Sequence, residues 1–282
     1  MYRVSSLGRP IDPRFSSNIV AVGGSAFAGI AVGIYNLAAA SPIASSPLMV
    51  AIGVFIAWAI GRELDPDNPA SATLAMAVSF VALVNAPGEL MLGVGVLLAS
   101  RVISGTVGAP LRAIDSLALV ALAWLLGAGG MTIVALPGLL LAGVFGGATR
   151  SKAVSLAAGM VVAAAGGFLV ARPLLGWEAA GAVELVALGL TAGGLLAGPR
   201  LTSVAASADL GGTLSARRIT VSRRVAAAAV VLGFLVGGGI GISAAFPMAG
   251  AAVVASGVVG FLGRRYDSSM LPTKERVSSD AE

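Results

Sequence analysis

Three carboxylates and an amide fall within six residues at Glu63-Leu64-Asp65-Pro66-Asp67-Asn68, between Arg62 and Pro69. Hard oxygen ligands at alternate positions suit Mg²⁺ or Ca²⁺, and Pro66 and Pro69 stiffen the backbone that would hold them. A metal on Glu63, Asp65, Asp67 and Asn68 would neutralise a phosphate, the chemistry of a membrane enzyme acting on an isoprenoid or lipid phosphate. A plainer reading competes. Asp67 or Asn68 caps the following helix with Pro69 in its first turn, Asp65 makes a turn before Pro66, and Glu63 pairs with Arg62. No second acidic motif recurs along the chain, which weighs toward the plainer reading.

A second group of polar residues sits in or beside apolar runs. Glu184 falls inside the run 179–198, some 9 Å past the boundary at Glu178 at about 1.5 Å per residue. Ionisable groups at membrane depth are costly and mark ion or substrate pathways. A carboxyl there suits a site that gains and loses a proton during transport. Arg172 is its expected partner. Glu89, Glu178, Asn36 and Asn85 project from the same ends of their runs, so the six together outline a polar vestibule. A buried structural pair of Glu184 with Arg172 is the competing explanation.

Other chemistry is narrow. The chain has no Cys and no His, which removes disulfides, thiolate nucleophiles, Cys/His metal sites and imidazole bases. There is no G-x-x-x-x-G-K-[ST] run, so nothing marks a nucleotide-driven pump. Of 282 residues, 57% are hydrophobic and 11% charged, and the mean hydropathy is +0.95. Soluble domains carry about 25% charged residues, so the composition is that of a multi-pass membrane protein without a sizeable soluble domain.

The elements that must position these residues are ten apolar runs: 18–40, 47–62, 70–86, 89–105, 115–129, 131–148, 153–171, 179–198, 225–243 and 247–263. Alternating them from a cytoplasmic N-terminus puts seventeen of the eighteen Lys and Arg on one side and only Arg172 on the other. Cytoplasmic connections carry that excess because Lys and Arg resist translocation. The fold class expected is an all-α integral membrane protein of about ten transmembrane helices, with both termini cytoplasmic, in the cell membrane. A cytoplasmic arm (1–17) precedes the bundle (18–264), whose longest cytoplasmic loop is 199–224, and a polar, disordered tail follows (265–282).

Every second run closes on a small residue and Arg, at Arg62, Arg101, Arg150, Arg200 and Arg264, while the opposite turns are short and rich in Gly and Pro. This rhythm implies five helical hairpins in series. Glycines four apart, as at Gly29/Gly33, Gly189/Gly193, Gly194/Gly198, Gly233/Gly237 and Gly237/Gly241, leave strips for close helix approach. Such strips serve internal packing first and a homo-oligomer second. Gly237-Gly238-Gly239 could loosen the ninth run. Asp115 reads as the cap of the fifth.

The basic balance does not point to nucleic acid, because the cations stand at the ends of spans. Arg217, Arg218, Arg223 and Arg224 are expected to meet anionic lipid headgroups. The leading expectation for function is a secondary-type permease for a small solute or lipid-like molecule. It needs no cofactor, whereas the enzyme alternative calls for Mg²⁺ at the acidic loop. A non-catalytic membrane scaffold is the third reading.

Overall fold

The apolar runs fold as helices, and most begin and end within three residues of their expected bounds. The computed structural model describes residues 5–8, 11–39, 42–43, 45–146, 149–171, 177–198 and 203–270, with side chains described except at 132 and 264–270. In order they are α1 (Ser16–Ala38), α2 (Pro47–Leu64), α3 (Pro69–Asn85), α4 (Leu90–Ser104), α5 (Ala113–Ala128), α6 (Thr132–Gly146), α7 (Arg150–Ala171), α8 (Ala182–Ala197) and α9 (Ala216–Gly237). A last run comprises α10 (Gly239–Ala245), a π-helical turn (Phe246–Gly250) and α11 (Ala251–Met270). Five segments are long and apolar enough to cross a bilayer: Ser16–Ala38, Pro47–Leu64, Arg150–Ala171, Ala216–Gly237 and Gly239–Gly263. Their outer faces expose large apolar side chains such as Phe27, Leu37, Val162 and Leu235. An apolar surface on that scale is what a membrane covers.

Local signals place the helix starts. Ser46 accepts a hydrogen bond from the Met49 N–H (3.2 Å) ahead of Pro47 at the first turn of α2. Pro69 likewise opens α3 after Asn68, whose own side chain makes no cap bond. Asp115 caps α5 by accepting from the Arg112 N–H at 2.9 Å.

The ninth and tenth runs are divided elsewhere than the sequence implies. The runs 225–243 and 247–263 put their boundary just before Pro247, but α9 ends at Gly237, and Gly238 adopts φ 59°, ψ −127°. That conformation is open essentially to glycine alone. The backbones of Gly233 and Gly241 then touch. Eight residues apart in one straight helix they would be separated by about 12 Å, so the chain reverses at Gly238. Pro247 sits inside the returning helix, where the wider π turn accommodates a residue that brings no N–H. At its other end α9 starts at Ala216, not 225. The loop expected over 199–224 is therefore already helical through its last nine residues, and α11 continues past 264.

The serial-hairpin arrangement is also corrected. α1 packs on α2, α5 on α6 and α9 on α10, but α3 does not touch α4 and α7 does not touch α8. α2 lies between α3 and α4, and the most extensive pairing among the described helices is α5 with α7. Small residues decide this. Gly127 and Gly167 lie against backbone carbonyls of α7 and α5 respectively, and Gly194 of α8 lies against Gly257 of α11. Any side chain there would collide with main chain, so these faces find each other regardless of chain order. Of the glycine strips, Gly29 meets the Pro47 carbonyl of α2, whereas Gly189 and Gly193 face open space.

Candidate functional site

The two ends of the bundle treat their polar residues differently. α3 runs from Pro69 to Asn85, so about 24 Å separates the acidic loop at its start from Asn85 at its end.

At the acidic-loop end the three carboxylates turn away from one another. Glu63, fully buried at the last turn of α2, accepts from the Arg101 guanidinium of α4 at 2.8 Å. It also accepts from the Ser104 hydroxyl (3.3 Å) and from Thr106. Asp65 takes the Ser71 hydroxyl at 2.5 Å and the Asn68 amide at 3.0 Å, and faces Arg223 of α9 at 3.6 Å. Asp67 accepts the main-chain N–H groups of Ala205 (3.2 Å) and Ala206 (2.7 Å). The loop is thus a three-way bracket joining α2 to α4, α3 to α9, and itself to the 203–206 segment. Among the described residues no three acidic groups converge. A divalent ion bound by Glu63, Asp65, Asp67 and Asn68 together would have to break these bonds.

Further groups extend the bracket. Arg101 donates to the Leu7 carbonyl at 2.6 Å. Asp115 accepts from the Ser5 hydroxyl (2.5 Å) and from both the N–H and the hydroxyl of Ser6. Residues 5–8 are therefore strapped across the ends of α4 and α5. Arg223 donates to the Leu64 carbonyl at 2.7 Å, and Arg218 to the carbonyls of Ile103 (2.6 Å) and Val102 (2.7 Å). Cations on the last carbonyls of a helix offset its dipole. Two of the four arginines expected at headgroups are thus turned into the fold, while Arg217 and Arg224 are exposed.

The opposite end holds a groove of about 530 Å³ between α3 and α8, which do not touch. Its walls are Ala, Val and Leu side chains of α3 and α8, and its floor is Ile242, Ser243, Phe246 and Pro247 of the returning helix. Glu184 and Asn85 both line it.

The chain matches no protein-family profile, no curated protein and no solved structure. Its chemistry therefore stands on these two ends alone.

Of the six residues expected to form a vestibule, the groove unites two. Asn36 instead closes the α1–α2 turn, accepting from the Ile43 N–H at 2.7 Å. Glu89 caps α4 through the Met91 N–H (3.2 Å), while its own N–H donates to the Ala244 carbonyl (3.1 Å). Glu178 is exposed, and its backbone bridges the α9–α10 break: its carbonyl accepts from the Gly239 N–H at 2.9 Å. Arg172 lies outside the described residues.

The depth of Glu184 is also corrected. Residues 177–181 are extended against the Gly238 turn, so α8 starts at Ala182 and Glu184 stands in its first turn, not about six residues in. A carboxylate in a first turn is favoured by the helix dipole. Among the described residues it has no hydrogen-bonding partner. The sequence points to Glu184 and Asn85 but conceals Ser243 and Phe246, because the π turn that brings them to the groove follows no local rule except Pro247.

Proposed function

We propose that the chain is a multi-pass permease of the cell membrane, with ten helical runs and both termini cytoplasmic. It moves a small amphiphilic or lipid-like solute without nucleotide hydrolysis. The observation that carries this reading is the groove between α3 and α8: an apolar cleft about 530 Å³ in volume with one carboxylate and one amide among its lining residues. An apolar wall accepts a chain or ring, and Glu184 with Asn85 engages a polar head. The floor is a helix already interrupted by the Gly238 reversal and the π turn at Phe246–Gly250. Irregular backbone beside a cavity is the usual construction of a transport site. The side-to-side sorting of Lys and Arg supports the orientation.

Because the wild-type chain has no cysteine, accessibility tests it directly. A single Ala187→Cys variant places a thiol on a groove-lining position of α8. In sealed vesicles a membrane-impermeant maleimide should label it from either side, because a permease opens its path alternately. Labelling from one side only, or from neither, would overturn the permease reading.

A further inference from the structure

A smaller cavity of about 290 Å³ lies at the acidic-loop end, apart from the groove. α4 stops there at Ser104, α6 stops at Gly146, α5 begins at Ala113, and α9 passes with its first turn. Ser6, Arg101, Gly105, Ala109, Phe145 and Arg218 are among its lining residues. The lining includes two guanidinium groups and no carboxylate. The charge of Arg101 is met by Glu63 at 2.8 Å. Arg218 has no such counterion: among the described residues no carboxylate lies within 4 Å of it. It is held instead by the Ile103 and Val102 carbonyls and by the face of Phe145, 5.5 Å from its ring centre.

Those contacts fix the guanidinium and leave it unneutralised. A guanidinium offers five N–H donors, and the two carbonyls take Nε and one hydrogen of Nη2. The remaining edge, Nη1 with the second hydrogen of Nη2, is free to donate in parallel to two oxygens of one group. That fork matches a phosphate. Since the side chain is already anchored, little further ordering accompanies binding.

We propose that this cavity is a binding site for a phosphate group, gripped by the free edge of Arg218 with the Arg101 guanidinium beside it. Its place among helix ends puts it level with a phospholipid headgroup, and a soluble phosphate ester offers the same chemistry. The site goes beyond the permease reading and does not depend on it, since it lies at the other end of α3.

The full chain, purified in neutral detergent in phosphate-free buffer, tests both sources. Native mass spectrometry reads retention of phosphatidylglycerol against diacylglycerol, which lacks the phosphate. ³¹P line broadening reads inorganic phosphate. Wild type should retain one phosphatidylglycerol and no diacylglycerol if the source is lipid, or broaden the inorganic signal if it is soluble. Arg218→Gln should lower the occupancy about tenfold, the scale of one charge-assisted contact. Ala109→Trp should lower it as much by filling the cavity while leaving the Arg218 bonds intact, which separates lost binding from lost folding. The Arg217→Gln, Arg224→Gln pair reports general attraction to exposed cations, which about 0.15 M salt screens, and should stay within about twofold. No retention of either phosphate by wild type overturns the proposal. So does undiminished retention in Ala109→Trp, or an equal loss in the Arg217/Arg224 variant.

Discussion

The acidic-loop end and the groove end hold similar polar groups and use them in opposite ways. At the first, Glu63, Asp65, Asp67 and Asp115 each accept two or more hydrogen bonds; Glu63, Asp67 and Asp115 take donors from elements far apart in sequence, and Asp65, bonded locally by Asn68 and Ser71, faces the distant Arg223. At the second, Glu184 lines an apolar groove with none from the described residues. A dense polar cluster therefore marks where the bundle is tied together, and a sparse one marks where it has room for something else. Satisfied buried networks rigidify a fold, whereas removing one member leaves a costly orphan.

That contrast can be broken by substitution. Glu63→Gln should have the largest effect on stability, because it removes the countercharge of the largely buried Arg101 guanidinium. Removing one partner of such a pair costs about 3–5 kcal/mol, read as a lower midpoint in denaturant titration of the detergent-solubilised protein. Gly241→Ala comes next. Its methyl group would meet the Gly233 backbone, and overpacking of this kind costs about 1–3 kcal/mol, with the α9–α10 reversal losing hydrogen-exchange protection first.

Asp115→Asn should be milder. It weakens the strap on residues 5–8, at about 1–2 kcal/mol for charge-assisted bonds partly replaced by an amide, and the Ser6 amide should exchange faster while the α2–α3 amides do not. Glu184→Gln should change stability least, by no more than about 1 kcal/mol, the scale of a first-turn carboxylate on a helix dipole. The same substitution should alter maleimide labelling at Ala187→Cys, where Asp115→Asn should not. A stability loss for Glu184→Gln as large as that for Glu63→Gln would erase the distinction between the two ends.

Helix positions were legible because apolar runs and Pro or Ser starts act locally. Pro47 and Pro69 open their helices at the positions expected of them. The identity of neighbours was not legible. The inward turn of Arg218 and Arg223 depends on the rotation of α9, and the α5–α7 pairing depends on glycines forty residues apart meeting in space. Gly238 and Pro247 show how local rules mislead. Proline is the stronger punctuation in sequence, yet the reversal falls at glycine, because only glycine adopts its backbone angles and the π turn absorbs the proline. The same reversal draws 177–181 out of helix, which is why Glu184 stands shallower than counting suggested.

Of the candidate residues, Asn85 and Glu184 were found because a polar group in an apolar run stands out. The bracketing role of Glu63, Asp65 and Asp67 was half visible. Their partners at Arg101, Ser71 and Ala206 lie on other elements, and no spacing within the loop announces them.

The π turn at Phe246–Gly250 has one more consequence, for phase. One residue more per turn rotates everything downstream by roughly 100° relative to an unbroken α-helix. The face of α11 that carries Gly257 is therefore turned toward α8 by a five-residue dial upstream of it. Deleting a single residue there would turn that helix like a key, keeping its composition and length while presenting its neighbours with a different side.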